Sequence, residues 1–112
     1  MPTTEMDEIA QTLKLLGDKT RLTIMKLLQH KECCVCELVE IIQMSQPSIS
    51  QHLRKLKDAG LVKETRKGQW IFYALNQQNK HVELIEQIMG LVPAQVHEFE
   101  ALEKKGLLMT CD

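Results

Sequence analysis

At Gly60 the hydrophobic pattern of this chain changes period, and that change constrains the fold more than any other feature. From Ser45 to Gly60, SQPSISQHLRKLKDAG sets Ile49, Leu53 and Leu56 at helical spacing. Ser45 stands as an N-cap, Pro47 is tolerated in the first turn and Gly60 falls just past the end. From Leu61 onward the chain is β-rich. LVKET leads through Arg66, Lys67, Gly68 and Gln69 into WIFYAL, two strands split by a turn. No other strand-like run exists to stack on this pair, so the expected fold is mainly α with a small β-hairpin. Trp70, Phe72 and Tyr73 should then anchor the hairpin on the helices rather than stack on bases.

Upstream of the hairpin the chain reads as four helices. Thr4 with Asp7 predicts a capped start, and Ile9, Leu13 and Leu16 follow until Gly17. Asp18 or Thr20 can cap a second helix carrying Leu22, Ile24, Met25, Leu27 and Leu28, which ends near His30. A third helix spans about Cys34 to Gln43 and buries Leu38 and Ile41, with Ile42 beside them. The link at Met44 and Ser45 is short, so the third and fourth helices form a helix-turn-helix, and the hairpin becomes its wing.

The outer face of the fourth helix has the chemistry of a nucleic-acid reader. Gln46, Ser48, Ser50, Gln51, Arg54 and Lys55 lie outside its apolar stripe, and no acid occurs before Asp58. Gln and Arg side chains pair with adenine and guanine edges, and Ser with either base or backbone. His52 either contacts phosphate or borders the core. Lys63, Arg66 and Lys67 near the wing tip should reach phosphates. The overall charge of −1 hides this: residues 46 to 75 carry six Lys/Arg against two Asp/Glu, a local +4 between acidic flanks. Double-stranded DNA is the expected partner.

After the hairpin, Val82, Ile85, Ile88 and Met89 share one apolar face before Gly90 and Pro93 interrupt it. Val96, Phe99 and Leu102 share a second face until Gly106. Neither face has a place in a core already closed by the wing, so with the first helix they should form a homodimer interface, as suits a reader of paired half-sites. The 112 residues form one domain, with a core of about 5–90 and a helical extension and tail from 91 to 112. No apolar run approaches the roughly 18 residues of a membrane span, and the acidic N-terminus is unlike a signal peptide. A cytoplasmic location with reduced thiols is expected, and no membrane partner.

Three of the four cysteines, Cys33, Cys34 and Cys36, precede the reading helix by about ten residues; the fourth is Cys111. The first three sit too close together to pair comfortably as disulfides, which favours ion binding or thiol reactivity. Two bonds of about 2.3 Å to one ion hold their sulfurs within about 4.6 Å. Residues two apart in a helix point roughly 200° from each other on a cylinder about 10 Å across. Cys34 and Cys36 can therefore share an ion only if they precede the first turn, or if binding unwinds it. Cys33 and Cys36 would instead meet on one face of an intact helix. Soft thiolates suit As(III), Sb(III), Cd(II), Pb(II) or Cu(I). A three-coordinate site would draw on Cys34, Cys36 and either Cys33 or Cys111. The tail either ends freely or docks to deliver its thiol. Formally Cys33 to Cys36 is a C-x-x-C, but a thiol-disulfide enzyme expects a βαβ context that is not readable here, so no catalysis is expected.

GDKTRLTIMKLL, then CCVCEL, then SQPSISQHLRKLKDAGLV and the KGQWIFYAL hairpin closely resemble the ArsR/SmtB family of metal-sensing repressors. The resemblance covers roughly residues 5 to 90, and Cys34 to Leu75 is its diagnostic part. It implies a winged-helix homodimer that binds an operator and leaves it when a toxic ion binds. Cys34-Val35-Cys36 looks like the arsenite and cadmium/lead branch, with arsenite or antimonite as the implied inducer and Cd(II) or Pb(II) after them. A third thiol common in arsenite sensors is replaced here by Val39. The zinc, cobalt and nickel branch would need ligands at positions that read Gln77, Asn79, Gly90 and Pro93, and His81 and His97 stand isolated. Oxidation of the cysteines in place of ion binding is the rival input for the same winged helix.

Overall fold

The computed structural model describes residues 4–93, which form α1 (Glu5–Leu16), α2 (Lys19–His30), β1 (Cys33–Cys34), α3 (Val35–Ile42), α4 (Gln46–Asp58), β2 (Val62–Lys67), β3 (Trp70–Leu75) and α5 (Val82–Leu91). The helix starts follow the sequence. Thr4 Oγ1 accepts from the Asp7 amide at 3.1 Å while Asp7 accepts from the Thr4 amide, a closed capping box. Asp18 and Ser45 cap α2 and α4 by accepting from the Arg21 and Ser48 amides, without the reciprocal bond, and Pro47 sits in the first turn of α4. The α3–α4 link is sharp because Gln43 takes the left-handed conformation at φ 62°.

One core serves the whole fold. Ile49, Leu53 and Leu56 of α4 are fully buried with Ile24, Met25 and Leu27 of α2 and Leu38 of α3. Each such side chain contributes about 1.5–3 kcal/mol relative to exposure, so α4 is held by its inner stripe and not by its polar face. In α1 the buried residues are Thr12, Leu15 and Leu16, whereas Leu13 of the expected stripe is exposed.

Three expectations are corrected. First, the sheet has three strands in the order β1-β3-β2, because Cys33 pairs with Tyr73 and Cys34 with Phe72 on the free edge of the wing. A two-residue strand has no periodicity to read in sequence. Second, α5 is part of the core: Met89 and Ile85 are buried, and Lys26 of α2 donates to the Met89 carbonyl at 2.9 Å. The helix also runs through Gly90 to Leu91. Third, only Tyr73 of the three hairpin aromatics packs against the core; Trp70 and Phe72 remain half-buried along the wing. The second C-terminal apolar face (Val96, Phe99, Leu102), His97 and Cys111 lie outside the described residues. No helix among the described residues is long and apolar enough to cross a membrane.

Candidate thiol site and nucleic-acid interface

The thiol site forms where β1 becomes α3. Cys34 is the N-cap of α3 with extended backbone (φ −84°, ψ 165°), and Cys36 follows one residue inside the first turn. Because Cys34 has not entered the helix, the two Cα atoms are only 5.4 Å apart, within the range a disulfide tolerates, and the sulfurs are joined. This corrects the expectation that the pair is too close to bridge. It also decides the helical-geometry question: the pair straddles the helix start and its sulfurs meet with the first turn intact. Cys34 is buried and Cys36 is exposed.

Cys33 does not join them. Successive residues of a strand face opposite sides, so Cys33 turns into the core while Cys34 turns toward α3. It is fully buried, its thiol donates to the Lys31 carbonyl at 3.4 Å, and burial, with Glu37 and Glu32 nearby, pushes it up to about 12. The expected meeting of Cys33 with Cys36 on one helical face fails because Cys33 is not helical. Among the described residues no group of three or more Cys, His, Asp or Glu is placed to hold a metal ion.

Glu37, which sequence reading passed over, is the residue that fixes this corner. Its carboxylate is buried, accepts from the Cys34 amide at 3.1 Å and pairs with Lys31 at 3.0 Å. The signal was present as an acid three residues after the helix cap, the spacing of a capping box. A cysteine in place of Ser or Thr concealed it.

On the other face, Gln46, Gln51, Arg54 and Lys55 are exposed along α4, Ser48 and Ser50 are half-exposed, and Gln46 donates to Ser50 at 2.7 Å. His52 borders the core: its Nδ1 lies 3.2 Å from an Arg21 guanidinium nitrogen, and Arg21 also donates to the Leu15 carbonyl at 2.6 Å. Lys63, Arg66 and Lys67 are exposed on the wing, whose tip turns at Gly68 (φ 63°). Lys67 is not a detached phosphate anchor, since it pairs with Glu32 and lies 5.0 Å over the Phe72 ring. Glu64 holds the wing to α4 through Lys57 at 2.7 Å and accepts from Tyr73 at 3.0 Å. Lys57 and Tyr73 keep its carboxyl below the usual range, and burial, with Glu64 after it, raises the Tyr73 phenol to about 12.

Two positions near the start of α5 are spent on structure. Asn79 donates to the Gly60 carbonyl at 2.9 Å, and His81 lies against Glu8 of α1 at 3.5 Å rather than alone on the surface. Lys80, which also pairs with Glu8, holds the Glu8 carboxyl below its ordinary value.

Residues 18–64 match the family model described as bacterial regulatory protein, arsR family. The chain is 40% identical over 79 residues to the arsenical resistance operon repressor of Bacillus subtilis, covering 70% of this chain and 75% of that one. It is 44% identical over 66 residues to the arsenic resistance transcriptional regulator ArsR1 of Pseudomonas putida, an alignment spanning 58% of this chain and about half, 52%, of that relative. The homodimeric winged helix-turn-helix DNA-binding domain of Mb0332 from Mycobacterium bovis superposes with a TM-score of 0.66 at 30% identity, covering 88% of this chain and 85% of that one.

Proposed function

The chain belongs to the arsR family of bacterial regulatory proteins, and from that premise we propose that it is a cytoplasmic, dimeric repressor that binds operator DNA and releases it when Cys34 and Cys36 capture a thiophilic ion. Arsenite or antimonite is the first candidate and Cd(II) or Pb(II) the second. The observation that carries this reading is the convergence of the two sulfurs at the β1–α3 junction, a soft donor pair beside the helix that precedes the reader. In the reduced state the same two sulfurs hold the ion. Cys33 or Cys111 supplies any third bond: Cys33 by leaving its buried position, Cys111 from the chain's C-terminal end.

The site touches both halves of the proposed DNA surface. Cys34 pairs with Phe72 of the wing, and Glu32, just before β1, pairs with Lys67 at its tip. Cys34 also caps α3, which packs on α4. Closing the two reduced sulfurs on a shared ion therefore pulls on β1, and with it the wing edge, while Cys34 stays outside the first turn of α3. The relatives named for arsenical resistance support the choice of inducer, and the homodimeric neighbour supports dimer formation. Met6 and Leu13 of α1 and Leu91 of α5 are the large exposed apolar side chains among the described residues, and they supply the proposed dimer face.

The test is an operator gel shift against As(III), Cd(II) and Zn(II) with wild type and single Cys→Ser variants. Tenfold release by arsenite needs a coupling of about 1.4 kcal/mol, within the ordinary allosteric range. Release that persists in both Cys34→Ser and Cys36→Ser refutes the site. Loss in Cys33→Ser or in Cys111→Ser identifies the third ligand. The bridged sulfurs favour one second reading, release by oxidation. Peroxide that dissociates the complex while arsenite in reducing buffer does not would select it.

A further inference from the structure

His52 lies on α4 at the border between the buried stripe and the polar face, one turn after Ser48 and one turn before Lys55. Its Nδ1 is 3.2 Å from an Arg21 guanidinium nitrogen. A guanidinium stays protonated and can only donate, so Nδ1 is the acceptor. An imidazole that accepts at Nδ1 is neutral and carries its proton on Nε2. That second nitrogen makes no hydrogen bond among the described residues and is not buried. A hydrogen-bond donor is therefore left at the surface, on the flank of α4 that also carries the half-exposed Ser48 and the exposed Lys55.

Arg21 is itself held in place. Its amide donates to Asp18 Oδ1 at 3.0 Å and its Nε to the Leu15 carbonyl at 2.6 Å. The start of α2 and the end of α1 thus fix the guanidinium, and the guanidinium fixes the ring. Further along the same flank, Lys55 and Lys14 of α1 line one shallow cleft, with Asp58 beside them. A fixed donor near such cations suits an anionic oxygen that carries no base identity, which is what a DNA backbone offers.

We propose that Arg21 is a positioning residue for DNA binding: it holds His52 neutral, in the tautomer with the proton on Nε2, and aims that N–H at a backbone phosphate flanking α4. This deepens, and rests on, the reading of α4 as the DNA-binding helix. His52 then contributes a hydrogen bond without a charge, and Arg21 acts through it.

Two measurements test this separately. On the free protein at about pH 8, above the ordinary histidine range, long-range 1H–15N NMR should show a single His52 tautomer protonated on Nε2, the signal being assigned by its absence in His52→Gln. On a mixed-sequence DNA duplex at the same pH, His52→Phe should weaken binding about tenfold, as expected for one hydrogen bond to a charged acceptor. The log–log salt slope should not change, whereas losing a cation contact would lower it by about 0.9. His52→Gln, whose amide nitrogen can stand near the Nε2 position, should recover most of the loss. Arg21→Met should weaken binding when His52 is present and add nothing in the His52→Phe background; a merely structural Arg21 would weaken both alike. A proton on Nδ1, a mixture of tautomers, wild-type affinity or a reduced slope in His52→Phe, or equal losses from Arg21→Met in the two backgrounds would each overturn the proposal. If Arg21→Met does not fold, the tautomer and the His52→Phe slope still decide it. Wild type that shows the Nε2 tautomer yet binds no duplex overturns the DNA-binding reading itself, and the phosphate contact with it.

Discussion

Replacing Glu37 should cost the domain about as much as removing a core side chain, although Glu37 is polar and lies in the first turn of a short helix. Its side chain is 1% exposed, whereas that of Lys31 is 38% exposed. The ion pair is therefore asymmetric. When Glu37 is truncated to Ala, the Lys31 head can turn to water, so little is lost from the pair itself. The Cys34 amide cannot do the same, because Cys34 is buried. A hydrogen bond to a charged acceptor contributes about 1.5–3 kcal/mol, and stranding its buried donor adds to the loss. Glu37→Ala should thus destabilise by about 2–3 kcal/mol, about 10–20 °C in Tm for a domain near 100 residues. Glu37→Gln retains an acceptor oxygen at the same place and should cost about half as much. The assay is urea unfolding followed by circular dichroism, at one fixed protein concentration because the proposed dimer formation would add to apparent stability. A loss under about 0.5 kcal/mol for Glu37→Ala would refute the claim that this carboxylate fixes the β1–α3 corner.

Other outcomes follow from the same contacts. Glu32→Gln should release Lys67 from its ion pair, raise DNA affinity at low salt and steepen the salt dependence by up to about 0.9 in log–log slope, the increment for one added phosphate contact; an unchanged slope would show that Lys67 already reaches DNA. Gly60 sits at φ 79°, so Gly60→Ala should lose about 1 kcal/mol in chemical denaturation even though its Cβ would meet Asn79 only at an ordinary 3.5 Å. Asp18 and Glu64 titrate below their ordinary values, held down by the Arg21 amide and by Lys57 respectively. Their stabilisation is present above the usual carboxylate range near pH 4 and is lost as pH falls through the depressed folded-state values; Asp18→Asn should flatten the acid limb of a stability–pH curve. Leu13→Asp with Leu91→Asp should leave the protomer folded and shift sedimentation toward monomer.

How much of this was readable beforehand depended on whether the cause was local. Thr4 with Asp7, Asp18, Ser45 and the glycines at 60 and 68 act on backbone within a few residues, so caps and turns appear in the sequence where the structure has them. The stripe of α4 was legible for the same reason, since one face of one helix carries its own period. Glu37 was legible in principle and missed, because a cysteine stood where Ser or Thr usually announces the motif.

The sequence by itself determined the order of the helices and of the two hairpin strands, the helix-turn-helix, the wing and the presence of a thiol cluster ahead of α4. Only the tertiary structure decided which of the described thiols, Cys33, Cys34 and Cys36, come together. β1 exists because the free edge of β3 offers hydrogen bonds to a two-residue segment about forty residues away, and no period of two residues can announce that pairing. Once Cys33 and Cys34 are in a strand they face opposite sides, so one thiol enters the core and the other meets Cys36. The same long-range packing draws α5 into the core and turns Lys67 toward Glu32. Spacing along a chain specifies the geometry of neighbours; which groups share a corner is set by contacts between segments far apart in sequence.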